Sequence, residues 1–524
     1  MNTYLGQKGY TLSKSELSIE NQVKIRNDLT IKPFTMGAPL NDTKTFPAYR
    51  ESPNKFYVPH YYGVEYFGVP KQYKIPEGTN INVEFNGKLR DYQEPVVNKF
   101  INHCSDVKYG GGLLELYCAW GKTSASLYII SQLKKKTLVI VHKEFLMNQW
   151  IERIQQFLPT AKVGKIQGPI IDIDNKDIVI GMLQSLSMKD YPSSVFESFG
   201  FTIIDEVHHI SSEVFSNSLF KIVTKYMLGL SATMNRKDGT TSVFKMFLGD
   251  VIYKSKRDTD RAVTVRAIEY YVDDDDFNEV KLDYRGNVAY STMISKLCEY
   301  SRRSEFILKI LSDMLIENPD QQIMVLAHNK NLLKYLHDAI AHRNIATVGY
   351  YIGGMKESAL KETETKKVVI ATYAMAAEAL DIKTLTTLIM ATPKTDIEQS
   401  VGRILREKHS SPIVVDIVDS HDTFKNQWRK RKTFYKKENY KIIYTVSTNY
   451  STDVSKWTLI YDPNPNGPKE CKPRKKKQIS IKSNSSSERS ITNDSDPEDD
   501  NEEPEIIEKK SSKIADDICY LKIK

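Results

Sequence analysis

The chain breaks into short apolar runs separated by stretches of helical spacing. Thr137–Val141 (TLVIV), Asp177–Gly181 (DIVIG) and Phe201–Asp205 (FTIID) are compact and almost continuously apolar. Such runs suit strands buried on both faces of a parallel sheet. Between the first two, Asn148–Leu158 (NQWIERIQQFL) carries its apolar residues at helical intervals. The alternation runs from about Leu89 to Asp250 and predicts a doubly wound α/β domain. It pauses at Glu269–Val280 (EYYVDDDDFNEV), where consecutive aspartates repel one another and predict a linker or surface loop. Ile323–His328 (IMVLAH), Lys367–Thr372 (KVVIAT), Thr386–Thr392 (TTLIMAT) and Ile413–Asp419 (IVVDIVD) then predict more buried strands, and so a second α/β domain in tandem.

The flanks differ. Tyr57–Gly68 (YVPHYYGVEYFG) is too apolar for a disordered leader, so a small ordered domain is expected ahead of the first lobe. From Ser451 onward, KPRKKK, SNSSSERS and DSDPEDDNEEPE follow one another, and this composition predicts disorder. The expected divisions are an accessory domain over 1–85, a first lobe over 86–255, a linker over 256–300, a second lobe over 301–450 and a disordered charged tail over 451–524.

Charge adds a partner class. The 524 residues carry a formal net charge of +8, and the 451–524 segment holds 14 basic and 15 acidic residues. The body is therefore the basic part, which suits an anionic partner such as nucleic acid as well as it suits an ordinary solvated surface. The five cysteines are widely spaced and form no CxxC pair, which argues against a disulfide scaffold or a structural zinc site and for a reducing, intracellular setting. No stretch is apolar enough to predict a membrane span, and the first residues lack the apolar core of a secretory signal.

Two segments carry chemistry. In Leu116–Ser126 (LYCAWGKTSAS), Gly121-Lys122-Thr123 stands just before a predicted helix. Unpaired backbone N–H groups and the positive helix end favour a phosphate there. Lys122 would reach the β- and γ-phosphates, and the Thr123 hydroxyl would ligate Mg²⁺. The strict phosphate-loop pattern wants a glycine where Leu116 stands, so the match is partial. The second segment is Phe201–His209 (FTIIDEVHH), which ends a buried strand in paired acids. Asp205 would hold Mg²⁺ and Glu206 would orient and deprotonate the attacking water. Zinc on His208 and His209 is the rival reading, but adjacent histidines point apart and HExxH spacing is absent.

These blocks, with Ser231-Ala232-Thr233 and Gln399–Arg406 (QSVGRILR), stand in the order and spacing of the superfamily-two helicases, and the chain resembles their DExH-type members. Leu89–Gln93 (LRDYQ) resembles their glutamine motif. Gly229–Gly239 (GLSATMNRKDG) is similar to the corresponding segment of repair and transcription-initiation DNA translocases. The helicases of large cytoplasmic DNA viruses, including the poxvirus-type transcript-release helicase, look similar as well, and Gly9–Leu17 and Tyr284–Leu308 favour that viral branch. The resemblance covers about Leu89 to Tyr440 and implies two tandem RecA-like parallel-sheet domains.

The resemblance also implies roles. Arg90 and Gln93 would meet adenine. Ala119, Trp120, Gly121, Lys122, Thr123 and Ser124 would form the phosphate loop. His208, Ser231 and Thr233 would couple hydrolysis to lobe movement. Gln399, Arg403 and Arg406 fall at spacings that share one helical face. Guanidinium groups there suit γ-phosphate charge in the transition state, although a surface helix with ion pairs gives the same spacing. Glu378 and Asp381 would sit at the ATP seam, and Thr372 would touch a strand phosphate. Ala119 and Ala379 stand where the family commonly has glycine, which puts rate and affinity in doubt more than activity. Lys143, Gln184 and Ser185 occupy the strand-binding positions of the first lobe. Trp428–Lys441 (WRKRKTFYKKENYK) fits either a nucleic-acid face or an amphipathic closing helix.

The implied function is an ATP- and Mg²⁺-dependent helicase, with DNA ahead of RNA as its track, 3′→5′ polarity and transcription machinery as a partner. If the chain is viral, its setting is host cytoplasm or nucleus, or the virion. The alternatives are a duplex translocase that does not separate strands, an RNA helicase, and a non-catalytic nucleic-acid-binding protein.

Overall fold

The computed structural model describes residues 2–34, 44–106, 110–117, 120–210, 212–234, 238–255, 263–378, 382–405 and 412–463. The predicted tail from residue 464 onward lies outside them, as do Ala119, Asp381, Ala379 and Arg406 and the side chains of His209 and Glu378.

The chain opens with a small sheet. Its order is Arg50–Glu51, Lys55–Val58, Gly9–Ser13, Tyr4–Gly6, Gln72–Tyr73. Alternation is plain here. Leu5, Tyr10, Leu12, Phe56 and Val58 face inward onto the helices Ile19–Asp28 and His60–Phe67. Gly63 is required where that helix crosses the sheet, because a Cβ would fall 2.2 Å from the Tyr10 ring. The expected boundary at 85 falls too late. Ile81 and Val83 are buried in the core of the first lobe, and Ile81 N donates to Lys134 O at 3.0 Å.

The first lobe is an eight-stranded sheet in the order Ile170–Ile171, Val163–Gln167, Ile178–Met182, Thr137–Val141, Phe201–Ile204, Tyr226–Ser231, Gly111–Glu115, Val251–Lys254. All neighbours are parallel except the short outer hairpin. Helices cover both faces, and the central strands are buried on both sides, as their unbroken apolar sequence requires.

The second lobe repeats the plan. Its order is Val348–Tyr351, Val368–Thr372, Gln322–Ala327, Leu385–Met390, Ile413–Asp419, Thr264–Tyr270, Lys441–Val446, Thr458–Tyr461. Both expected edges of this lobe need correction. Thr264–Tyr270 (TVRAIEY) is an internal strand paired on both sides, so the predicted 256–300 linker belongs largely to the lobe. Arg266 interrupts the apolar run; it is buried, and its guanidinium is bridged by Glu317 at 2.6 Å. Thr458–Tyr461 adds an antiparallel edge strand, so the lobe extends past the predicted limit at 450. The aspartate cluster is a helix start. Asp274 caps the turn Asp275–Asn278 by accepting from Phe277 N at 3.2 Å, where negative charge meets a positive helix end.

The basic-aromatic segment resolves as the closing helix Asp422–Lys437. Trp428, Arg431 and Tyr435 point into the core while Arg429, Lys430, Lys436 and Lys437 stay in water. The second-lobe core contains buried charge. Arg303, on Ser301–Glu317, makes a bidentate pair with Asp419 at 2.6 and 2.8 Å and donates to Ala391 O at 2.8 Å. Arg431 pairs with Asp416 at 2.8 Å through both nitrogens, and Tyr435 donates to the same carboxylate at 2.9 Å.

Candidate active site

Parallel pairing assembles the site. Phe201–Ile204, Tyr226–Ser231 and Gly111–Glu115 are neighbours running the same way, so the segments that follow them leave one edge of the sheet side by side. These segments hold Asp205-Glu206, Ser231–Thr233 and the loop leading to Lys122.

Gly121 starts the helix Lys122–Leu133 with φ 95° and ψ 40°, a left-handed conformation that glycine adopts without strain. A Cβ at Gly121 would also fall 2.4 Å from Gln93 Nε2. Gln93 is buried, and its amide bonds to its surroundings through both its oxygen and its nitrogen. Oε1 accepts from Arg90 N at 2.9 Å, while Nε2 donates to Trp120 O and Gly121 O at 3.1 and 3.3 Å. Tyr92 donates to Trp120 O at 3.2 Å and receives the Arg90 guanidinium at 2.6 Å. The predicted adenine pair, Arg90 and Gln93, is therefore also the scaffold of the phosphate loop. Within the loop, Ser124 Oγ donates to Gly121 O at 3.0 Å, and Thr123 is half-buried beside it.

Lys122 Nζ donates to Glu206 Oε1, joining the predicted phosphate lysine to the predicted base. Glu206 has φ 49° and ψ 55°, which is uncommon for a side chain of its size. Asp205 is 7% exposed and accepts from its neighbour's backbone, Glu206 N, at 3.0 Å. Burial, and then the adjacent Glu206 charge, push the Asp205 carboxyl above the ordinary carboxylate range against the pull of Lys122. A divalent cation fits such a place, because it favours both carboxylates in their charged form and Thr123 stands at the facing helix start.

The sequence reading missed one residue. Trp150, fully enclosed on the helix Glu144–Phe157, donates its indole Nε1–H to Asp205 Oδ2 at 2.9 Å. Within its helix it reads as an ordinary core aromatic, and nothing in the linear pattern ties it to an acid so far along the chain. Trp150→Phe keeps most of the volume and removes the donor. The change is expected to lower stability by about 1–3 kcal/mol, read from urea unfolding, and to weaken Mg²⁺-dependent turnover.

His208 links the lobes. Its Nδ1 lies 2.7 Å from Ser231 Oγ and 3.3 Å from Glu206 Oε2. Its Nε2 lies 2.8 Å from Gln399 Nε2. An amide nitrogen only donates, so Nε2 accepts and the ring proton sits on Nδ1, toward Ser231 and Glu206. Ser231 also accepts from Thr233 N at 3.2 Å and donates to Thr233 O. Gln399 lies on the second-lobe helix Glu398–Arg403, where Arg403 is buried. Other polar contacts among the described residues cross the seam. Asn148 donates to Glu357 at 2.8 Å, and Lys361 donates to Glu152 at 2.7 Å. Gln399→Ala cuts the histidine link and leaves the acids in place. The expected result is a several-fold smaller stimulation of hydrolysis by nucleic acid with little change in the unstimulated rate, read by a coupled ATPase assay.

The predicted strand contacts of the first lobe share the same edge. Thr137–Val141 and Ile178–Met182 are parallel neighbours, which places Lys143 and Gln184 side by side beyond their ends. Gln184 Nε2 donates to His142 O at 3.1 Å, tying the two loops together. Ser185 Oγ accepts from Gly168 N at 2.9 Å, so this hydroxyl also shapes its own loop. Thr372 ends Val368–Thr372 on the second lobe and accepts weakly from Met375 N at 3.4 Å.

Two parallel-sheet lobes that meet across such an edge have the build of a nucleotide-driven motor. The family described as Type III restriction enzyme, res subunit, matches residues 86–236. A protein of Acanthamoeba polyphaga mimivirus, provisionally named an ATP-dependent RNA helicase, is 35% identical over 475 residues, spanning 87% of this chain and 90% of the relative. An African swine fever virus protein with the same kind of name is 28% identical over 407 residues, covering 73% of this chain and 79% of its own. A helicase so named in Invertebrate iridescent virus 6 is 26% identical over 399 residues, covering 71% and 87%. The chain belongs to the family of ATP-dependent helicases carried by large DNA viruses. It is thus an enzyme that uses ATP and binds nucleic acid.

Proposed function

We infer that this chain is a strand-separating motor that moves 3′→5′ on DNA. The observation that supports coupled movement is the continuous path from Lys122 through Glu206 and His208 to Gln399, which joins the hydrolytic acids to the opposite lobe. In this reading Lys122 and the helix start behind Gly121 hold phosphate, and Arg90 and Gln93 face adenine. Asp205 and Thr123 would hold Mg²⁺, which when bound neutralises phosphate charge. Glu206 orients and deprotonates the attacking water. Arg403, and Arg406 beyond the described residues, would close on the γ-phosphate from the second lobe, with Glu378 and Asp381 at the seam. Lys143, Gln184, Ser185 and Thr372 would follow the strand through phosphate contacts without sequence preference.

DNA is preferred because Gly229–Gly239 resembles DNA translocases and the matching family is described from a restriction enzyme. The printed names of two relatives favour RNA as a second reading. The viral setting of the relatives supports a role in transcription within an infected cell, in cytoplasm or nucleus. The test measures hydrolysis without nucleic acid and with single-stranded DNA, duplex DNA and RNA, followed by displacement from substrates with 3′ or 5′ overhangs. Preferential stimulation by DNA and displacement from a 3′ overhang are expected. Stimulation by RNA alone transfers the track to RNA, and hydrolysis indifferent to every polymer defeats the motor reading.

A further inference from the structure

The outer face of the N-terminal sheet has no part in the machinery above. Register places Tyr4 beside Thr11, and Thr11 beside Tyr57, on that face, opposite the one that packs Leu5, Tyr10 and Phe56. Around the two tyrosines stand three lysines. Lys74 Nζ lies 4.4 Å from the Tyr4 ring centre and Lys55 Nζ lies 5.3 Å from it, while Lys55 also donates to Tyr4 OH at 3.3 Å. Lys8, on the exposed turn between the first two strands, lies 5.5 Å from the Tyr57 ring centre.

None of these lysines is ion-paired among the described residues, although Lys14, Lys135 and Lys225 nearby in the chain or fold each meet a carboxylate. A cavity of about 410 Å³ opens here, lined by Tyr4, Tyr57, Lys8, Lys74 and others, with Glu197 as the one acid among the described residues that line it. Clustered ammonium groups repel one another, and rings alone offset little of that. An anion would offset more. Arg50 is not part of this charge. It turns away to pack on the Phe220 ring at 5.2 Å and donates to Asn217 O at 3.5 Å.

We propose that this lysine–tyrosine face is a second binding site for single-stranded nucleic acid, separate from the track across the two lobes. Ammonium groups meet phosphates there, and a base stacks on a tyrosine ring in place of a lysine stem. Interleaved rings and cations are what a flexible strand recognises without sequence preference. An acidic peptide would use the charges and leave the rings without a role. The proposal rests on the nucleic-acid motor reading and places an accessory hold on the strand outside the moving lobes.

The test uses the full chain and a twenty-nucleotide oligo-dT, a matching oligo-rU and a poly-glutamate peptide, each followed by fluorescence anisotropy across a salt series. Two variants are compared with wild type, Lys55→Ala/Lys74→Ala and the charge reversal Lys8→Glu on the exposed turn. Thermal melting controls for folding. The expected result is Kd for the oligonucleotides raised about tenfold in the double variant, with the slope of log Kd against log salt flattened by about 1.4. Hydrolysis at saturating strand should be unchanged, with only a higher strand concentration needed for half-stimulation. Unchanged oligonucleotide affinity and slope in both folded variants overturn the proposal. Loss of poly-glutamate binding alone also overturns it, in favour of a protein partner. Failure of the motor reading would appear differently, as wild-type hydrolysis that no strand stimulates.

Discussion

Replacing Lys122 with alanine is expected to lower strand-stimulated ATP hydrolysis by a factor on the order of 10²–10³, the scale for removing one preorganised donor to transition-state charge. The geometry says why no neighbour would substitute. Lys122 is the first residue of its helix, and its ammonium group already contacts Glu206. The backbone N–H groups of the helix start would remain and could still hold phosphate. Nucleotide binding should therefore fall less than turnover, and strand binding should hold. Arginine is not a conservative replacement at this place, because a planar fork does not occupy the position of a compact ammonium. The check is kcat at saturating strand together with Kd for the strand. A residual rate above one tenth of wild type would falsify the assignment of Lys122 to the phosphates.

The second large effect is on stability. Arg303→Ala should destabilise the second lobe by about 3–5 kcal/mol, because it leaves Asp419 buried without its cation. Both side chains are fully buried, and Ala391 O loses a donor as well. Burial works against the Arg303 charge, yet the facing Asp419 more than offsets it, so the guanidinium is held above its ordinary range. An apolar pair, Arg303→Met with Asp419→Leu, is expected to recover most of the loss, since replacing both partners of a buried pair is often neutral or favourable. Urea unfolding of wild type, single and double variants decides the matter. A single variant within 1 kcal/mol of wild type, on the order of an ordinary surface substitution, would show that the pair is not what it looks like.

The buried central strands were legible because both faces are covered, so nearly every position is apolar and the exceptions, Asp416 and Asp419, are neutralised by buried arginines. TLVIV and IVVDIVD fall on Thr137–Val141 and Ile413–Asp419. Strands that mix in polarity or glycine were not legible. Gly111–Glu115 begins with two glycines, since Gly111 closes on Met227 O and Gly112 on the Ile252 side chain. Thr264–Tyr270 carries Arg266 and Glu269, whose partners Glu317 and Lys425 come from distant segments. The site was legible in the same uneven way. Lys122, Asp205, Glu206, His208 and Ser231 lie in short signatures and do come together. Trp150 and the dual attachment of Gln93 do not show in any local pattern, because each depends on a contact with a distant part of the chain.

One further consequence follows from the left-handed turn at Glu206. A large side chain held in that conformation carries strain of about 1 kcal/mol or more, and glycine would carry none. Glu206→Gly should therefore recover part of that energy and, on the proposed role of Glu206 as base, abolish turnover. Selection for heat resistance alone, with no demand for ATP turnover, would drift toward loss of the acid at this position. Selection that keeps turnover holds the strained residue in place. The turn marks a point in the sequence where durability and work pull in opposite directions, and thermostable variants of this enzyme should be sought elsewhere in the chain.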